Sequence, residues 1–207
     1  VMHDDQHGTA IVVLAGLTNA LKVTQRSFET LRVVVVGAGA AGTAITNMLF
    51  DFGVRDMVVC DRKGIISLKR DDLDEHKKEL AKKTNPQGLA GILAEAMRDR
   101  DVMIGVSGPG IVTQEMIRSM SKDSIVFAMS NPIPEIMPDE AKAAGARIVA
   151  TGRSDYPNQV NNVLAYPGVF RGAIDARASR VTEAMKRAAV EALACCVWFP
   201  SVDLIIP

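Results

Sequence analysis

Apolar residues recur along the chain with two different spacings, which predict helices that alternate with strands. Residues 8–23 carry apolar side chains three and four positions apart behind a Gly-Thr pair, a pattern that indicates an opening helix. The β-branched run 32–36 has no polar interruption after its first residue, which is typical of a parallel strand covered on both faces. Further strands are predicted at 56–60, 101–106, 124–129 and 147–151, and further helices at 40–52, 71–83, 89–98, from 113, from 138 to 145, and at 178–193.

Strands that alternate with helices predict an α/β fold. We expect a Rossmann-like, doubly wound and mostly parallel sheet, with right-handed crossovers and helices on both faces. No repeat, low-complexity tract or linker interrupts the pattern, so residues 1–207 are interpreted as one domain. The chain begins within a motif and ends in an apolar stretch, and we therefore expect a fragment of a longer protein.

Charge and cysteine content narrow the classes of partner. The 24 basic and 24 acidic residues cancel, so neither nucleic acid nor an anionic membrane is expected as a partner. The apolar runs are shorter than the roughly 20 residues that a membrane helix needs. The three cysteines, Cys60, Cys195 and Cys196, show no disulfide framework, which predicts a reducing, cytoplasmic location.

A glycine-rich turn follows the first predicted strand and opens a helix. It comprises Gly37, Ala38, Gly39, Ala40, Ala41 and Gly42. In that context the first glycine makes a tight turn, the second admits a pyrophosphate, and the third allows close packing of helix on strand. The alternative is a plain glycine turn with a solvated acid beyond it, which the strand and helix around the motif disfavour.

The acid after the second strand bears on the choice of cofactor. Asp61 lies nineteen residues after Gly42, where a carboxylate accepts hydrogen bonds from an adenosine ribose, and this favours NAD. Arg62 and Lys63 follow directly and could receive a 2′-phosphate, which leaves NADP open. A second turn at 105–110 places Ser107 and Gly108 near the cofactor, although Ser-Gly-Pro-Gly is equally typical of a simple turn.

An acidic segment precedes the first helix. Asp4 and Asp5 lie side by side in the predicted loop between His3 and His7, and neighbouring carboxylates repel unless a cation compensates them. Oxygen ligands suit Mg²⁺ or Mn²⁺. A zinc site built on the two histidines ranks lower because no cysteine has ligand spacing. A cap of the following helix is an equally good interpretation of either acid.

Asparagines follow two of the later strands. Asn131 comes after the strand at 124–129, and Asn158, Asn161 and Asn162 come after the strand at 147–151. Because substrates of such folds bind at the carboxyl ends of the strands, these amides are candidates to hold a hydroxy acid without adding charge. Turn chemistry alone is the alternative for Asn131, which precedes a proline.

Several strings together resemble the malic enzyme family in its short bacterial form. They are HDDQHGTA at 3–10, VVGAGAAG at 35–42, CDRKG at 60–64, SNP at 130–132, ATGRSDYPNQVNN at 150–162 and YPGVFRGAID at 166–175. They occur in order over nearly the whole chain. Residues 195–199 are dissimilar to the charged helix end that is usual in the family.

The resemblance implies an activity and a role for each matching residue. Members oxidise malate with NAD or NADP and decarboxylate the product to pyruvate. Asp5 would be a divalent-metal ligand, and Asp4 the catalytic acid that partners a lysine. Asn131 and Asn162 would hold malate, with Asn161 near the nicotinamide. The lysine, a tyrosine and a Glu-Asp pair that completes the metal shell belong to an N-terminal domain outside these residues, so we expect this piece alone to be inactive and its parent to be a homo-oligomer.

Overall fold

A twisted sheet forms the centre of the molecule in the computed structural model, which describes residues 2–207. Within those residues the sheet has six strands in the order β3-β2-β1-β4-β5-β6, all parallel except β3. The strand order reverses beside β1, and this reversal opens a crevice at the carboxyl ends of β1 and β4. The strands are β1 (Arg32–Val36), β2 (Asp56–Asp61), β3 (Gly64–Ile65), β4 (Val102–Gly105), β5 (Ile125–Ala128) and β6 (Ile148–Thr151).

Helices cover both faces of the sheet, as the alternating pattern predicts. Val33 and Val35 of β1 belong to one apolar cluster, and Val34 and Val36 to a second cluster on the opposite face. Burial on both faces accounts for the uninterrupted valines. The helices are α1 (Thr9–Thr24), α2 (Ala40–Asp51), α3 (Glu75–Lys83), α4 (Leu93–Met97), α5 (Gln114–Arg118), α6 (Pro138–Ala143), α7 (Tyr166–Asp175) and α8 (Glu183–Cys195).

Helix α1 is buried almost all round. It packs between the sheet, α2 and α8, and residues 10–17 are all buried. A helix that is apolar on every side is stable only in such an interior position. Its buried Asn19 donates Nδ2 hydrogen bonds to the carbonyl oxygens of Ala194 (2.9 Å) and Ile205 (3.0 Å). This amide fixes the end of the chain against α1.

The predicted elements are confirmed with bounds that differ by a few residues at their ends, and a few elements were missed. Helix α3 begins at Glu75, because Asp74 caps it by accepting a hydrogen bond from the Lys77 amide at 2.8 Å. The sequence analysis missed the antiparallel strand β3 and helix α7. Strand β3 has two residues, too few to show a period, and α7 lies in a stretch that was interpreted only as a motif.

No helix within residues 2–207 is both long and apolar enough to cross a membrane. The three cysteines are free, and Cys195 and Cys196 are exposed. Burial raises the pKa of the Cys60 thiol to about 12, so this side chain behaves as a neutral core residue.

A buried carboxylate ties β1 to β4 at their amino ends. Asp101 accepts hydrogen bonds from the Arg32 backbone amide (2.9 Å), from Arg32 Nη2 (2.9 Å) and from Ser121 Oγ (2.7 Å), and its side chain is only 9% exposed. Burial opposes ionisation of Asp101, but the hydrogen bonds from Arg32 and Ser121 outweigh it and leave its pKa below the ordinary value.

We expect Asp101→Ala to lower the free energy of unfolding by about 3 kcal/mol at pH 7, because it leaves a half-buried guanidinium and a strand amide without their acceptor. Asp101 stabilises the fold fully above its unfolded pKa near 4, and that contribution is lost as the pH falls through its lower folded value. Urea unfolding of the wild type and of Asp101→Ala should therefore give unfolding free energies whose difference narrows below about pH 4. Glu79→Ala, which removes an exposed ion pair with Lys82, should change stability by less than about 0.5 kcal/mol. Equal losses for both variants would contradict the expectation.

Candidate functional site

A cavity of about 350 Å³ opens at the carboxyl ends of the central strands. It brings together residues that follow four different elements, which is the arrangement expected for a ligand site in an open parallel sheet. Polar side chains and backbone groups line much of its wall. The lining residues are Thr9, Ala41, Val106, Ser107, Met129, Ser130, Asn131, Gly152, Val160, Asn161 and Asn162.

The glycine turn brings helix α2 against β1 and β4. Gly37 has a φ of +120°, and a Cβ there would lie 2.6 Å from the Val106 carbonyl oxygen. A Cβ at Gly42 would lie 1.9 Å from the Gly37 carbonyl oxygen. Gly39 has no atom within 4 Å of its Cβ position and precedes the first residue of α2. The turn therefore presents open space and a helix N-terminus to a phosphate group.

Six of the eleven predicted cofactor residues line one of two cavities, and Gly37, Gly42, Asp61 and Arg62 line neither. Ala41, Ser107 and Asn161 line the cavity at the strand ends. A second cavity, of about 360 Å³, lies at the start of α2 and is lined by Ala38, Gly39 and Ala40. Gln6 and His7, which precede α1, and His76 of α3 complete this part of its wall. Gly108 lines neither cavity, and the position of its Cβ is open.

The acidic segment is a single π-helical turn, Asp4–Gly8, and the prediction of a loop there was wrong. The turn runs directly into α1, and the absence of a Cβ at Gly8 makes room for Asp4, whose Oδ1 lies 2.0 Å from that Cβ position. Asp4 Oδ2 accepts a hydrogen bond from Asn162 Nδ2. Asp4 Oδ1 is buried and has no hydrogen-bond partner within residues 2–207. One carboxylate oxygen thus holds the asparagine, and the other is packed against Gly8.

Asp5 lies differently from its neighbour. Its side chain is 83% exposed, and its Oδ2 lies 3.9 Å from Nδ1 of the His3 imidazole. Within residues 2–207 no three histidine, cysteine or acidic side chains are close enough together to hold a metal ion. His3 and His7 contact each other through a 3.0 Å bond from the His3 amide to His7 Nδ1. The exposed carboxylate of Asp5 and its neighbours could therefore supply only part of the ligand set that a metal ion needs.

The Asp61 carboxylate accepts four hydrogen bonds from other groups of this chain. Its Oδ1 accepts hydrogen bonds from Arg70 Nη1 (2.8 Å) and the Lys63 amide (2.9 Å), and its Oδ2 accepts from Arg70 Nη2 (3.2 Å) and Lys77 Nζ (2.8 Å). Burial alone would raise the pKa of Asp61, but the bonds from Arg70 and Lys77 lower it to about 2. Arg62 is exposed beside this cluster.

The asparagines separate into functional candidates and one structural residue. Asn131, Asn161 and Asn162 line the cavity at the strand ends. Asn158, which the sequence analysis grouped with them, is 5% exposed and lies outside it. Its Nδ2 donates to the Val149 (3.0 Å) and Val202 (2.9 Å) carbonyl oxygens, and its Oδ1 accepts from the Ile205 amide at 2.9 Å. Asn158 therefore anchors the end of the chain to β6.

Two features of the site had no counterpart in the sequence analysis. Thr9 lines the cavity from the first turn of α1, and Glu135 is fully buried behind its wall. A solvated and a buried acid look alike in a loop sequence, so periodicity could not distinguish the environment of Glu135.

Fold and site together define a class of protein. A doubly wound sheet with a glycine turn at its switch point, and an amide-lined cavity at the same edge, is the architecture of the dinucleotide-binding domain of an oxidoreductase. Comparison with known families then gives the particular membership. Residues 6–203 match the family model described as malic enzyme, NAD binding domain, and the chain belongs to this family.

Individual relatives agree with that membership. The chain is 56% identical to the bifunctional malic/malolactic enzyme of Bacillus subtilis over all of its own length and 51% of the relative. It is 50% identical to the NADP-dependent malic enzyme of Halomonas elongata, over 93% of this chain and 46% of the relative. The crystal structure of the NAD-dependent malic enzyme of Thermotoga maritima superposes with a TM-score of 0.97 at 49% identity, over all of this chain and 55% of that one. The chain thus spans about half the length of the relatives it matches.

The glycines of the turn allow a test that separates packing from binding. We expect Gly42→Ala to destabilise the protein by about 2 kcal/mol or more, because the new Cβ would overlap the Gly37 carbonyl oxygen. Gly39→Ala should change stability by less than about 1 kcal/mol but weaken dinucleotide binding about tenfold or more, because the methyl group occupies the open approach. Urea unfolding and calorimetric titration with NADH and NADPH measure the two effects. Unchanged binding by Gly39→Ala would exclude a pyrophosphate at this turn.

Proposed function

We propose that the full-length protein containing this chain is an oxidoreductase that converts malate to pyruvate and CO₂ while reducing NAD or NADP. The observation that carries the proposal is the convergence of Ser107, Asn131, Asn161 and Asn162 on one cavity at the switch point of a dinucleotide-binding sheet. Malate loses a hydride from C2 to the dinucleotide and a proton from its C2 hydroxyl, the C3–C4 bond then breaks to release CO₂, and the remaining enolate takes up a proton at C3 to give pyruvate. The relatives named as malic enzymes support this reaction.

This chain would supply the surfaces that bind and orient the reactants. The space over Gly39 and the N-terminus of α2 receive the pyrophosphate, and Ser107 and Asn161 border the path of the nicotinamide end. The side-chain amides of Asn131 and Asn162 offer both donors and acceptors to the carboxylate and hydroxyl oxygens of malate. Asp4 orients Asn162 through its Oδ2. A bound dinucleotide accepts the hydride.

A divalent cation, Mg²⁺ or Mn²⁺, is the second group that we propose. Asp5 is the ligand that this chain contributes, because its carboxylate is exposed and, among residues 2–207, is paired only with His3 at 3.9 Å. A bound cation polarises the substrate oxygen at C2 and stabilises the negative charge that develops as CO₂ leaves. The remaining ligands would come from the other half of the parent. The buried, unpartnered Oδ1 of Asp4 is suited to accept a hydrogen bond from a lysine of that half.

The other half of the parent would also supply the groups that move protons. Both tyrosines of the chain, Tyr156 and Tyr166, lie outside the cavity lining, so we assign them no such role. We also propose that the parent is a homo-oligomer and that it is located in the cytoplasm.

The alternative function is a dinucleotide-binding module without turnover. The two differ in one measurement, because the full-length parent should form NADH or NADPH from malate, whereas residues 1–207 alone should bind dinucleotide and form neither.

Asp5→Ala in the full-length parent tests the metal assignment. We expect kcat/KM for malate to fall at least about 100-fold and the Mn²⁺ concentration for half-maximal activity to rise, because a ligand is lost while the cavity stays intact. Asp203→Ala is the matched control, since it removes an exposed acid whose ion pair with Lys142 is remote from the cavity. Unchanged Mn²⁺ dependence in Asp5→Ala would contradict the assignment.

We further propose that the cluster of Asp61, Arg70 and Lys77 sets the preference between NAD and NADP. All four acceptor positions of the Asp61 carboxylate are filled, so a ribose hydroxyl can bind only by displacing a donor. Lys77 is the donor most easily displaced, because it ends a flexible four-carbon chain. A 2′-phosphate would instead meet Arg62, Lys63 and Lys77 as cations.

Two substitutions in this cluster should move the preference in opposite directions. Asp61→Ala removes the ribose acceptor and frees the Lys77 ammonium, while Arg70 keeps its pair with Asp72, so NAD should weaken far more than NADP. Lys77→Ala frees one acceptor and removes a cation, so the ratio of NAD to NADP affinity should rise about tenfold. Lys78→Ala, on the same helix but paired with Glu75, is the control. Fluorescence titration with NADH and NADPH gives both affinities, and a shift of the same sign in both variants would disprove this role of the cluster.

A further inference from the structure

Glu135 is a buried acid between two loops of the candidate site. Its residue surface is 0% exposed, although its sequence position lies in an irregular segment after β5. We call residues 106–112, after β4, the β4 loop, and residues 129–135, after β5, the β5 loop. The first carries Ser107 on the cofactor side, and the second carries Asn131 on the substrate side. Burial of an ionisable group here requires specific partners.

The carboxylate of Glu135 joins the two loops. Its Oε1 accepts a hydrogen bond from the Ser107 amide at 2.8 Å, and its Oε2 accepts one from the Ser130 amide at 3.0 Å. The backbone strengthens the same connection, because the Glu135 carbonyl oxygen accepts from the Val112 amide at 3.0 Å. Burial raises the pKa of Glu135, and the amides of Ser107 and Ser130 offset part of that rise. One side chain therefore satisfies an amide from each half of the cavity wall.

The end of β4 is shaped to admit this carboxylate. A Cβ at Gly105 would lie 2.6 Å from Glu135 Cδ and 2.9 Å from its Oε1. A side chain at position 105 would thus push the carboxylate off the two amides. Glutamine at position 135 has the same shape but only one acceptor oxygen, so its NH₂ group would oppose one of the amide donors.

We propose that Glu135 is a positioning residue that fixes the substrate side of the site relative to the cofactor side. It holds Ser107 and the Ser130–Asn131 turn at a set separation, and so sets the distance between a hydroxy acid on Asn131 and a nicotinamide beside Ser107. This inference rests on the proposed function for its consequence in catalysis. The connection between the loops is independent of it.

Hydrogen exchange on the full-length protein tests the connection itself. At single-residue resolution, the Ser107 and Ser130 amides should exchange much more slowly than unbonded loop amides, because both donate to the buried carboxylate of Glu135. Glu135→Gln should accelerate exchange of at least one of them by about tenfold or more, since one donor loses its acceptor. Exchange of both wild-type amides at the rate of an unbonded loop amide would overturn the proposal.

Steady-state kinetics of the full-length protein tests the consequence. We expect Glu135→Gln and Gly105→Ala each to lower kcat about 30- to 100-fold, while the KM values for malate and dinucleotide change less than about threefold, because each half of the site stays intact and only their separation changes. Ile148→Val in the core controls for lost stability, and Gly172→Ala, whose Cβ position is open, controls for the added methyl group. Both controls should keep wild-type kcat.

Each outcome decides one of the two proposals. A kcat for Glu135→Gln and Gly105→Ala that equals that of the controls overturns the positioning role and leaves the proposed function in place. Absence of malate-dependent turnover in the wild-type parent refutes the proposed function, and the exchange rates of Ser107 and Ser130 then decide the connection alone. If Glu135→Gln fails to fold, Gly105→Ala and the wild-type exchange rates still give the answer.

Discussion

The close approach of α2 to β1 is the contact on which the rest of the site depends. Only a hydrogen atom fits between Gly42 and the Gly37 carbonyl oxygen, and only a glycine at 37 clears the Val106 carbonyl oxygen. This contact aims the N-terminus of α2 along the edge of the sheet. It also places the turn after β1 against the turn after β4, so Ala41 in the first turn of α2 lines the same cavity as Ser107. The small size of these two glycines thus determines the geometry of a whole cavity wall.

The order of the strands brings the polar groups of the cavity together. Because β1, β4, β5 and β6 are parallel neighbours, their carboxyl ends meet at one edge, and each contributes one turn to the cavity. The turn Asp4–Gly8 lies beside the site from outside the sheet, where Asp4 contacts Asn162. Candidate cofactor and substrate residues that are far apart in sequence are brought together by topology, without a dedicated segment for either.

Much of this organisation could be predicted from the sequence, and the exceptions have physical causes. The valines of β1 and the glycine spacing after it predict strand, turn and helix, because backbone geometry restricts what those residues can do. Strand β3 was missed because two residues carry no period, and α7 because its stretch was interpreted as a motif. The occupancy of the Asp61 carboxylate and the burial of Glu135 depend on partners distant in sequence, namely Lys77 and Ser107, which no local pattern reveals. For the same reason Asn158 was grouped with the site, although its amide binds the end of the chain.

The contact between Gly105 and Glu135 has an evolutionary consequence. A glutamate at 135 tolerates only glycine at 105, whereas loss of the glutamate leaves a space that a larger residue at 105 could fill. The two positions can therefore change only together, and the intermediate with one change has either an overlap or a void. Because either single substitution is unfavourable, a lineage that has both residues would retain both. Thirty positions apart and on separate elements, they form one inherited unit.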